Sequence, residues 1–251
     1  MNIYRSVPAL RAAVCRLPLR LRRRERHAPL LRGALAVLAV ASVASCAPAA
    51  VASGAPDPGL ATRLDAATEP SRRLHVVFEW SMTDREFRLS GRGVLRLDSA
   101  ARARVDLFGP RGETLAAAIV EGEDRMRVVP SGAERLLPPA ALMWSALGVF
   151  RPPVDAPLVA TSVDGGTTQL EYARDATRWR FRFESDTLRH VEWTASGGRR
   201  TVELSGSSGF GLPAAGTFRD WTEFRELTLR ATKVEETSGF DADVWILPGE
   251  R

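Results

Sequence analysis

Cysteine and histidine are scarce in this chain, and their positions exclude most thiol and metal chemistry. The two cysteines, Cys15 and Cys46, both fall at the amino-terminal end. The residues after Cys46 therefore contain no thiol for a disulfide, a thiolate nucleophile or a cysteine-ligated zinc ion. Only two histidines, His75 and His190, lie in this part, on separate predicted strands. We therefore predict neither a metal site nor a cofactor.

Catalytic motifs are missing as well. The sequence has no G-x-S-x-G elbow, no P-loop, no G-x-G-x-x-G fingerprint and no H-E-x-x-H pair, and these motifs mark the commonest hydrolytic and nucleotide-binding sites. Three acids, Glu121, Glu123 and Asp124, cluster in one predicted turn. Carboxylates can hold calcium, but we interpret this cluster as a solvated turn. We predict that the protein is not an enzyme.

Positive charge is concentrated at the amino terminus. The whole chain carries a net charge of +5, yet residues 1–45 hold nine arginines and a single acid, Glu25, so the remainder has a net charge of −3. A domain that binds nucleic acid usually shows a basic excess of its own. Nucleic acid is therefore not an expected partner.

An apolar stretch follows these arginines and ends at Val43-Ala44-Ser45-Cys46. At roughly 13 residues it is shorter than the about 20 of a transmembrane helix, and it predicts the hydrophobic region of a signal peptide. Its end resembles the lipobox of bacterial lipoproteins. The resemblance implies a signal peptide over residues 1–45 and attachment of palmitate-class acyl chains at Cys46, the first mature residue. A secretory leader with a chance cysteine, and a start codon assigned too far upstream, are the alternatives.

The segment after the lipobox divides into a tether and a domain. Residues 46–72 include the lipidated terminus and are rich in alanine, proline and glycine, which predicts a flexible tether. A short helix near residues 60–67 is the alternative. Residues 73–251 are sufficient for one domain with its own core.

Period-two alternation of apolar and polar residues begins at Leu74 and continues to Val234. It predicts about ten or eleven short strands in hairpin order. Residues 140–148 interrupt the pattern, because Pro138-Pro139 and Gly148 bracket an apolar segment that predicts one short helix. Such a helix is buried or covers an apolar cavity. The predicted fold class is mainly β, an open and unclosed antiparallel β-barrel with one or a few short lid helices.

The inward side of the predicted barrel is bulky and aromatic. Side chains of this kind either fill a core or line a lipid cavity, and periodicity does not distinguish the two. The candidate cavity and lid residues are Phe78, Trp80, Phe87, Leu89, Leu95, Val105, Leu107, Leu115, Met143, Trp144, Leu147, Trp179, Phe181 and Phe183.

The outward side carries arginines on two neighbouring strands. These residues are Arg88, Arg92, Arg96, Arg102 and Arg104. Guanidinium groups suit phosphates of lipid headgroups. Interspersed Asp98 and Asp106 favour a solvated sheet face that also resists aggregation.

The stretch Leu107-Phe108-Gly109-Pro110-Arg111-Gly112-Glu113-Thr114-Leu115 resembles the strand-loop-strand of LolB, the outer-membrane lipoprotein receptor. The strand at residues 91–97, the helical segment at 142–153 and the long strand at 227–234 follow in similar order. The resemblance implies an unclosed barrel whose helices cover an apolar cavity for acyl chains. It also implies delivery of lipoproteins from a soluble LolA-like carrier.

The tip of this loop departs from the LolB pattern. In LolB an exposed apolar residue touches the membrane, whereas Arg111 stands at the matching position here. The membrane-loop candidates are therefore Phe108, Pro110 and Arg111, with Phe108 as a wedge and Arg111 on phosphate. A plain tight turn at Gly109-Pro110 explains the same residues.

These features together predict a lipoprotein anchored to the outer membrane and facing the periplasm. We expect a monomer that binds acyl chains of membrane lipids or lipoproteins and takes part in lipid or lipoprotein trafficking. The alternative is a structural or assembly-scaffold lipoprotein with a filled barrel, acting through protein contacts. A hollow beneath the helix favours the first function, and a filled core favours the second.

Overall fold

The computed structural model describes residues 54–98, 102–122 and 125–250. The predicted leader over residues 1–45, the lipidation site Cys46, the first part of the tether, and Glu123 and Asp124 lie outside these residues. Within the described ranges, no helix has the length and apolar character needed to cross a membrane.

Twelve antiparallel strands of the described ranges form one continuous sheet. They are β1 (Leu74–Thr83), β2 (Arg88–Asp98), β3 (Arg102–Phe108), β4 (Thr114–Glu121), β5 (Arg125–Val129), β6 (Leu158–Asp164), β7 (Thr167–Arg174), β8 (Thr177–Glu184), β9 (Thr187–Ala195), β10 (Gly198–Ser205), β11 (Ala215–Asp220) and β12 (Arg225–Glu236). Their order is 5-4-3-2-1-12-11-10-9-8-7-6, so β1 and β12 meet at the centre and the edge strands β5 and β6 are unpaired with each other in the described residues. The predicted open, mainly β fold class is confirmed.

β11 is the strand that the sequence pattern did not predict. It has six residues and follows a loop rich in glycine and serine, so the alternation is too short to stand out. Pairing with β10 and β12 supplies its backbone hydrogen bonds.

In the part of the chain that the structure describes, two α-helices lie on the inner side of the sheet, α1 (Pro58–Thr68) and α2 (Ala140–Ala146). Short 3₁₀ turns occur at Ala133–Leu136 and Ala242–Trp245. The bounds of α2 agree with the apolar helix expected from its flanking prolines and glycine. Its residues from Leu142 onward are buried.

α1 falls inside the segment that composition predicts as a flexible tether. Asp57 caps the helix by accepting a hydrogen bond from the Leu60 amide at 2.9 Å, and Pro58 occupies the first turn. Leu64 is fully buried against the sheet. The cap and this burial explain why residues 58–68 are helical and packed instead of extended.

The chain after α2 is connected to α1 by hydrogen bonds. The Phe150 amide donates to Thr68 Oγ1 at 3.0 Å. Arg151 donates to Asp65 at 3.1 Å and to Glu69 at 3.4 Å. These bonds join the two helical segments into one layer across the inner face.

The carboxy-terminal segment covers the outer side of β4. Trp245 and Leu247 pack with Ala117 and Ile119, which point away from the main core. β4 is therefore buried on both faces, and this explains its nearly continuous apolar sequence.

The outer face of the sheet is held by ion pairs. Asp106 accepts from Arg96 at 2.6 Å and from Arg104 at 2.8 Å, and Asp98 accepts from Arg102 at 3.0 Å. Arg104 also donates to the carbonyls of Val244 and Ile246. Three of the five predicted outer-face arginines are thus paired with carboxylates.

Two glycines of β2 lie opposite aromatic residues of β1. Gly91 pairs with Trp80, and Gly93 pairs with Phe78. The Trp80 indole donates to the carbonyls of Arg92 at 3.0 Å and Phe108 at 3.1 Å. A Cβ at Gly91 would overlap the Phe108 carbonyl, and one at Gly93 would overlap the Phe78 ring. The missing side chains therefore make room for the two rings.

We expect Gly91→Ala to lower the free energy of unfolding by about 1–3 kcal/mol, because the methyl group meets a backbone oxygen that cannot rotate away. Urea unfolding measures the change. Gly197→Ala is the matched control, since nothing lies within 4 Å of the position that its methyl group would take, and we expect a change within about 0.5 kcal/mol. Equal midpoints for the two variants would contradict this packing.

Candidate functional site

An apolar cleft lies between the inner face of the sheet and a roof. The roof consists of the end of α2 and the loop at residues 206–214, which we call the roof loop. The floor comes from the five neighbouring strands β3, β2, β1, β12 and β11. It is lined by Val76, Phe78, Leu95, Val105, Ala215, Gly216, Leu229 and Ala231. The roof contributes Ala146, Leu147, Leu212, Pro213 and Ala214. Ser208 supplies the one polar side chain of the lining.

The cleft is small in this arrangement. Its volume is about 40 Å³, whereas a single water needs about 10–15 Å³ on the same measure. A few methylenes fill the cleft. A whole acyl chain therefore requires that the roof move away from the sheet.

The roof contacts the sheet through small residues and few hydrogen bonds. The Ala146 carbonyl lies 2.7 Å from the position that a Cβ would take at Gly216 of β11, so the end of α2 rests on bare backbone. The Trp144 indole donates to the Gly122 carbonyl at 2.5 Å. In the roof loop, Gly209 and Gly211 have φ of +100° and +81°, a region that glycine enters without strain.

The other half of the interior is filled by aromatic rings. Phe150 sits between Phe181 and Phe183, with ring centroids 4.8 and 5.2 Å away. Tyr172 completes the cluster at 6.3 Å from Phe150. Burial, with a smaller contribution from Asp65, raises the pKa of Tyr172 to about 12. The filled core expected under the scaffold hypothesis is therefore present beneath β7 and β8.

The structure divides the predicted cavity residues into groups. The cleft is lined by Phe78, Leu95, Val105 and Leu147. Residues that are buried elsewhere in the core are Trp80, Leu107, Met143, Trp144, Phe181 and Phe183. Half-buried residues packed against that core are Leu89, Leu115 and Trp179.

Phe87 is not a cavity residue. It is 39% exposed, because β2 begins only at Arg88 and Phe87 belongs to the preceding hairpin loop. The alternation of Phe87 with Leu89 placed it on the inner face, but the loop turns its side chain outward.

Sequence reasoning missed most of the roof and part of the floor. Leu212, Pro213 and Ala214 follow glycines and serines without any periodicity, so no pattern marked them. Leu229 and Ala231 belong to the last long strand, and their alternation with Thr228 and Arg230 was the available signal.

The β3–β4 connection forms a tight turn. The Gly109 amide donates to the Glu113 carbonyl at 2.8 Å, and the Gly112 amide donates to the Gly109 carbonyl at 3.0 Å. Arg111 and Pro110 are exposed, while Phe108 is half-buried. This geometry agrees with the alternative of a plain tight turn, and a membrane role of the turn stays a prediction.

A wider hollow of about 930 Å³ lies on the outer face beside this turn. Glu79, Arg92 and Arg230 border it, together with Ser81 and Ser90. Charged and hydroxyl groups do not suit an acyl chain. The hollow is therefore not the candidate site for hydrocarbon.

Within the described ranges, no group of three or more His, Cys, Asp or Glu residues is placed to hold a metal ion. Burial, helped by Arg182, lowers the pKa of His190 and so favours its neutral form.

An open antiparallel sheet curved around two helices and an apolar cleft defines a class of half-barrel proteins. The chain has the LolA/LolB-like fold, as its resemblance to LolB predicted. One similar structure is a LolA superfamily protein from Nitrosomonas europaea, with TM-score 0.53, 10% identity, and coverage of 77% of this chain and 99% of that one.

A second similar structure is a protein domain from Vibrio parahaemolyticus named for outer membrane lipoprotein sorting. Its TM-score is 0.52 at 12% identity, and the match covers 74% of this chain and 95% of that domain. At these identities the similarity is one of fold. No protein-family model and no curated protein matches the sequence.

Proposed function

We propose that this protein binds acyl chains of lipids or lipoproteins beneath α2 and the roof loop. It acts in lipid or lipoprotein trafficking without catalysis, from an acyl anchor at Cys46 in the outer membrane, and a LolA-like carrier is its proposed partner. The observation that carries the proposal is the cleft, whose lining is apolar except for Ser208. The lipoprotein-sorting name of the Vibrio domain with the same fold supports it.

The free energy of acyl burial suits a site that transfers acyl chains better than a site that stores them. Each buried methylene contributes about 0.8 kcal/mol, and a bilayer offers the chain the same gain. A site that first has to open therefore binds an acyl chain only weakly, as an intermediate between the carrier and the membrane.

The roof is the part of the shell that opens most easily. α2 has seven residues, and helices shorter than about 12 residues are marginal without tertiary contacts. The roof loop packs through few large side chains, since its buried members are Leu212 and the half-buried Ser208, Pro213 and Ala214. Segments with few buried contacts open at the lowest free energy.

Filling the cleft is expected to weaken acyl binding. We expect Ala231→Leu to lower the affinity for a fluorescent fatty acid about tenfold, because the added methylenes take the space of the first bound ones. Displacement of the probe from the full chain measures the effect.

Ala176→Leu, in the exposed β7–β8 turn, is the matched control and should bind as the wild type does. Equal affinities for the two leucine variants, both folded, would place any bound acyl chain outside the cleft.

The aromatic cluster around Phe150 favours a second candidate function. A barrel filled beneath β7 and β8 suits a structural or assembly-scaffold lipoprotein that acts through protein contacts. A well-folded chain that shows no saturable binding of the fatty-acid probe would favour this scaffold function over trafficking.

A further inference from the structure

Three large aromatic side chains are exposed in two neighbouring hairpins at one end of the sheet. Phe87 lies in the β1–β2 loop, and Trp221 and Phe224 lie in the β11–β12 turn, with exposures of 39%, 49% and 62%. We call these three residues the aromatic tip. The two hairpins are neighbours, because Thr83 of β1 pairs with Glu226 of β12.

The β1–β2 hairpin projects beyond the turn that sequence analysis singled out. β3 ends at Phe108, opposite Arg92, whereas the β1–β2 ladder continues to the pair Thr83 and Arg88. Four further residues extend a strand by about 13 Å. A flat surface approaching this end therefore meets the aromatic tip before it meets the β3–β4 turn.

Phe224 holds a conformation that its side chain disfavours. Its φ is +57°, a region in which bulky residues are rare and glycine or asparagine is common. Its ring is also the most exposed of the three, and the Arg85 guanidinium lies 4.1 Å from the ring centroid. Neither the strain nor the exposure stabilises the fold, and strained residues persist where function requires them.

The charges around the aromatic tip cancel. The hollow beside it is lined by three arginines and three acids, namely Arg85, Arg135, Arg225, Asp84, Glu86 and Glu223. An acidic or basic partner would meet repulsion as well as attraction at such a surface. A zwitterionic phospholipid surface meets both signs favourably, and aromatic rings prefer its headgroup layer.

The length of the chain between the lipobox and the domain limits how far the domain can lie from an acyl anchor at Cys46. Only residues 47–53 separate Cys46 from Gly54, and an extended chain spans at most about 29 Å between these two residues. A domain anchored through Cys46 therefore stays close to the bilayer. We propose that the aromatic tip inserts into the headgroup layer of a phospholipid bilayer and orients the domain on it.

Trp221 provides a built-in reporter for this docking. All six tryptophans lie after residue 54, and Trp221 is the exposed one among them. The full chain carrying Cys46→Ser is mixed with phosphatidylcholine vesicles that contain brominated acyl chains, which quench nearby indoles. We expect saturable quenching that Trp221→Phe largely removes and that 0.5 M salt leaves about unchanged, because the attraction is apolar.

Phe224→Asn should weaken the vesicle partition about tenfold, because it removes the most exposed ring. Val163→Asn is the matched control. Val163 is also an exposed apolar side chain, at 66%, but it lies near the end of β6 at the opposite end of the sheet, outside the roof and the cleft. Asparagine accepts the positive φ of Phe224, and the side chain of Val163 is exposed, so both variants should fold with thermal midpoints close to that of the wild type.

Absence of Trp221 quenching would overturn the proposal, and so would equal quenching in the two asparagine variants. Affinity for the soluble fatty-acid probe should be unchanged in Phe224→Asn. The two measurements therefore test the membrane-docking proposal and the acyl-binding proposal independently.

Discussion

Replacing Trp144 with alanine is expected to lower the free energy of unfolding by about 3–5 kcal/mol. The indole is 1% exposed and holds α2 against the sheet, so truncation leaves a large void in the core. The substitution also removes the hydrogen bond to the Gly122 carbonyl. Urea unfolding at neutral pH measures the loss.

Trp144→Phe separates the two contributions. It keeps most of the aromatic volume and removes the donor, so we expect a smaller cost of about 1–2 kcal/mol. A loosened α2 should also let the fatty-acid probe enter faster, which stopped-flow mixing detects. If the Trp144→Ala and Trp144→Phe variants had equal stabilities and equal rates of probe entry, α2 would not be a packed roof.

Asp106→Ala is the second substitution with a large expected effect, about 3 kcal/mol of destabilisation. The carboxylate is buried and accepts from both Arg96 and Arg104. Its removal leaves the mostly buried Arg104 without a counter-ion, and unpaired buried charges cost more than a lost pair contributes. Thermal unfolding of the variant should also show early release of the carboxy-terminal segment, because Arg104 holds its carbonyls.

Asp98→Ala is the control for the Asp106 variant, because its partners Arg73 and Arg102 are more exposed. Pairs of this kind contribute at most about 1 kcal/mol.

Burial alone would raise the pKa of Asp98, but hydrogen bonds from the two arginines outweigh it and lower the pKa. The pair therefore stabilises the fold above pH 3.8, the ordinary value, and this contribution disappears as the pH falls through the lowered pKa. Equal losses at Asp98 and Asp106 at neutral pH would contradict the burial argument.

The sequence pattern predicted the elements whose signals are local. Alternation from Leu74 onward revealed nearly every strand, and the bracketing of residues 140–148 by proline and glycine revealed α2. A short helix near residues 60–67 was the alternative to a flexible tether, and α1 shows that this alternative is correct. The burial of Leu64 that stabilises α1 depends on distant strands, which no local pattern shows.

The cleft was harder to predict than the sheet. Strand alternation identifies an inward side but cannot say whether facing side chains meet. Phe150 lies in a segment without periodicity, and it is this ring that closes the interior against Phe181 and Phe183. The roof loop contributes backbone and small side chains, which leave no apolar pattern. The sequence therefore predicted part of the floor of the candidate site and, of its roof, only Leu147.

The central claim is that the interior beneath α2 accepts an acyl chain, and a titration of the full chain with a fluorescent fatty acid tests it most directly. The account predicts saturation near one probe per protein, together with faster amide exchange in α2 and the roof loop when the probe is bound. Non-saturable or absent binding, by a chain that still unfolds cooperatively in urea, would contradict it.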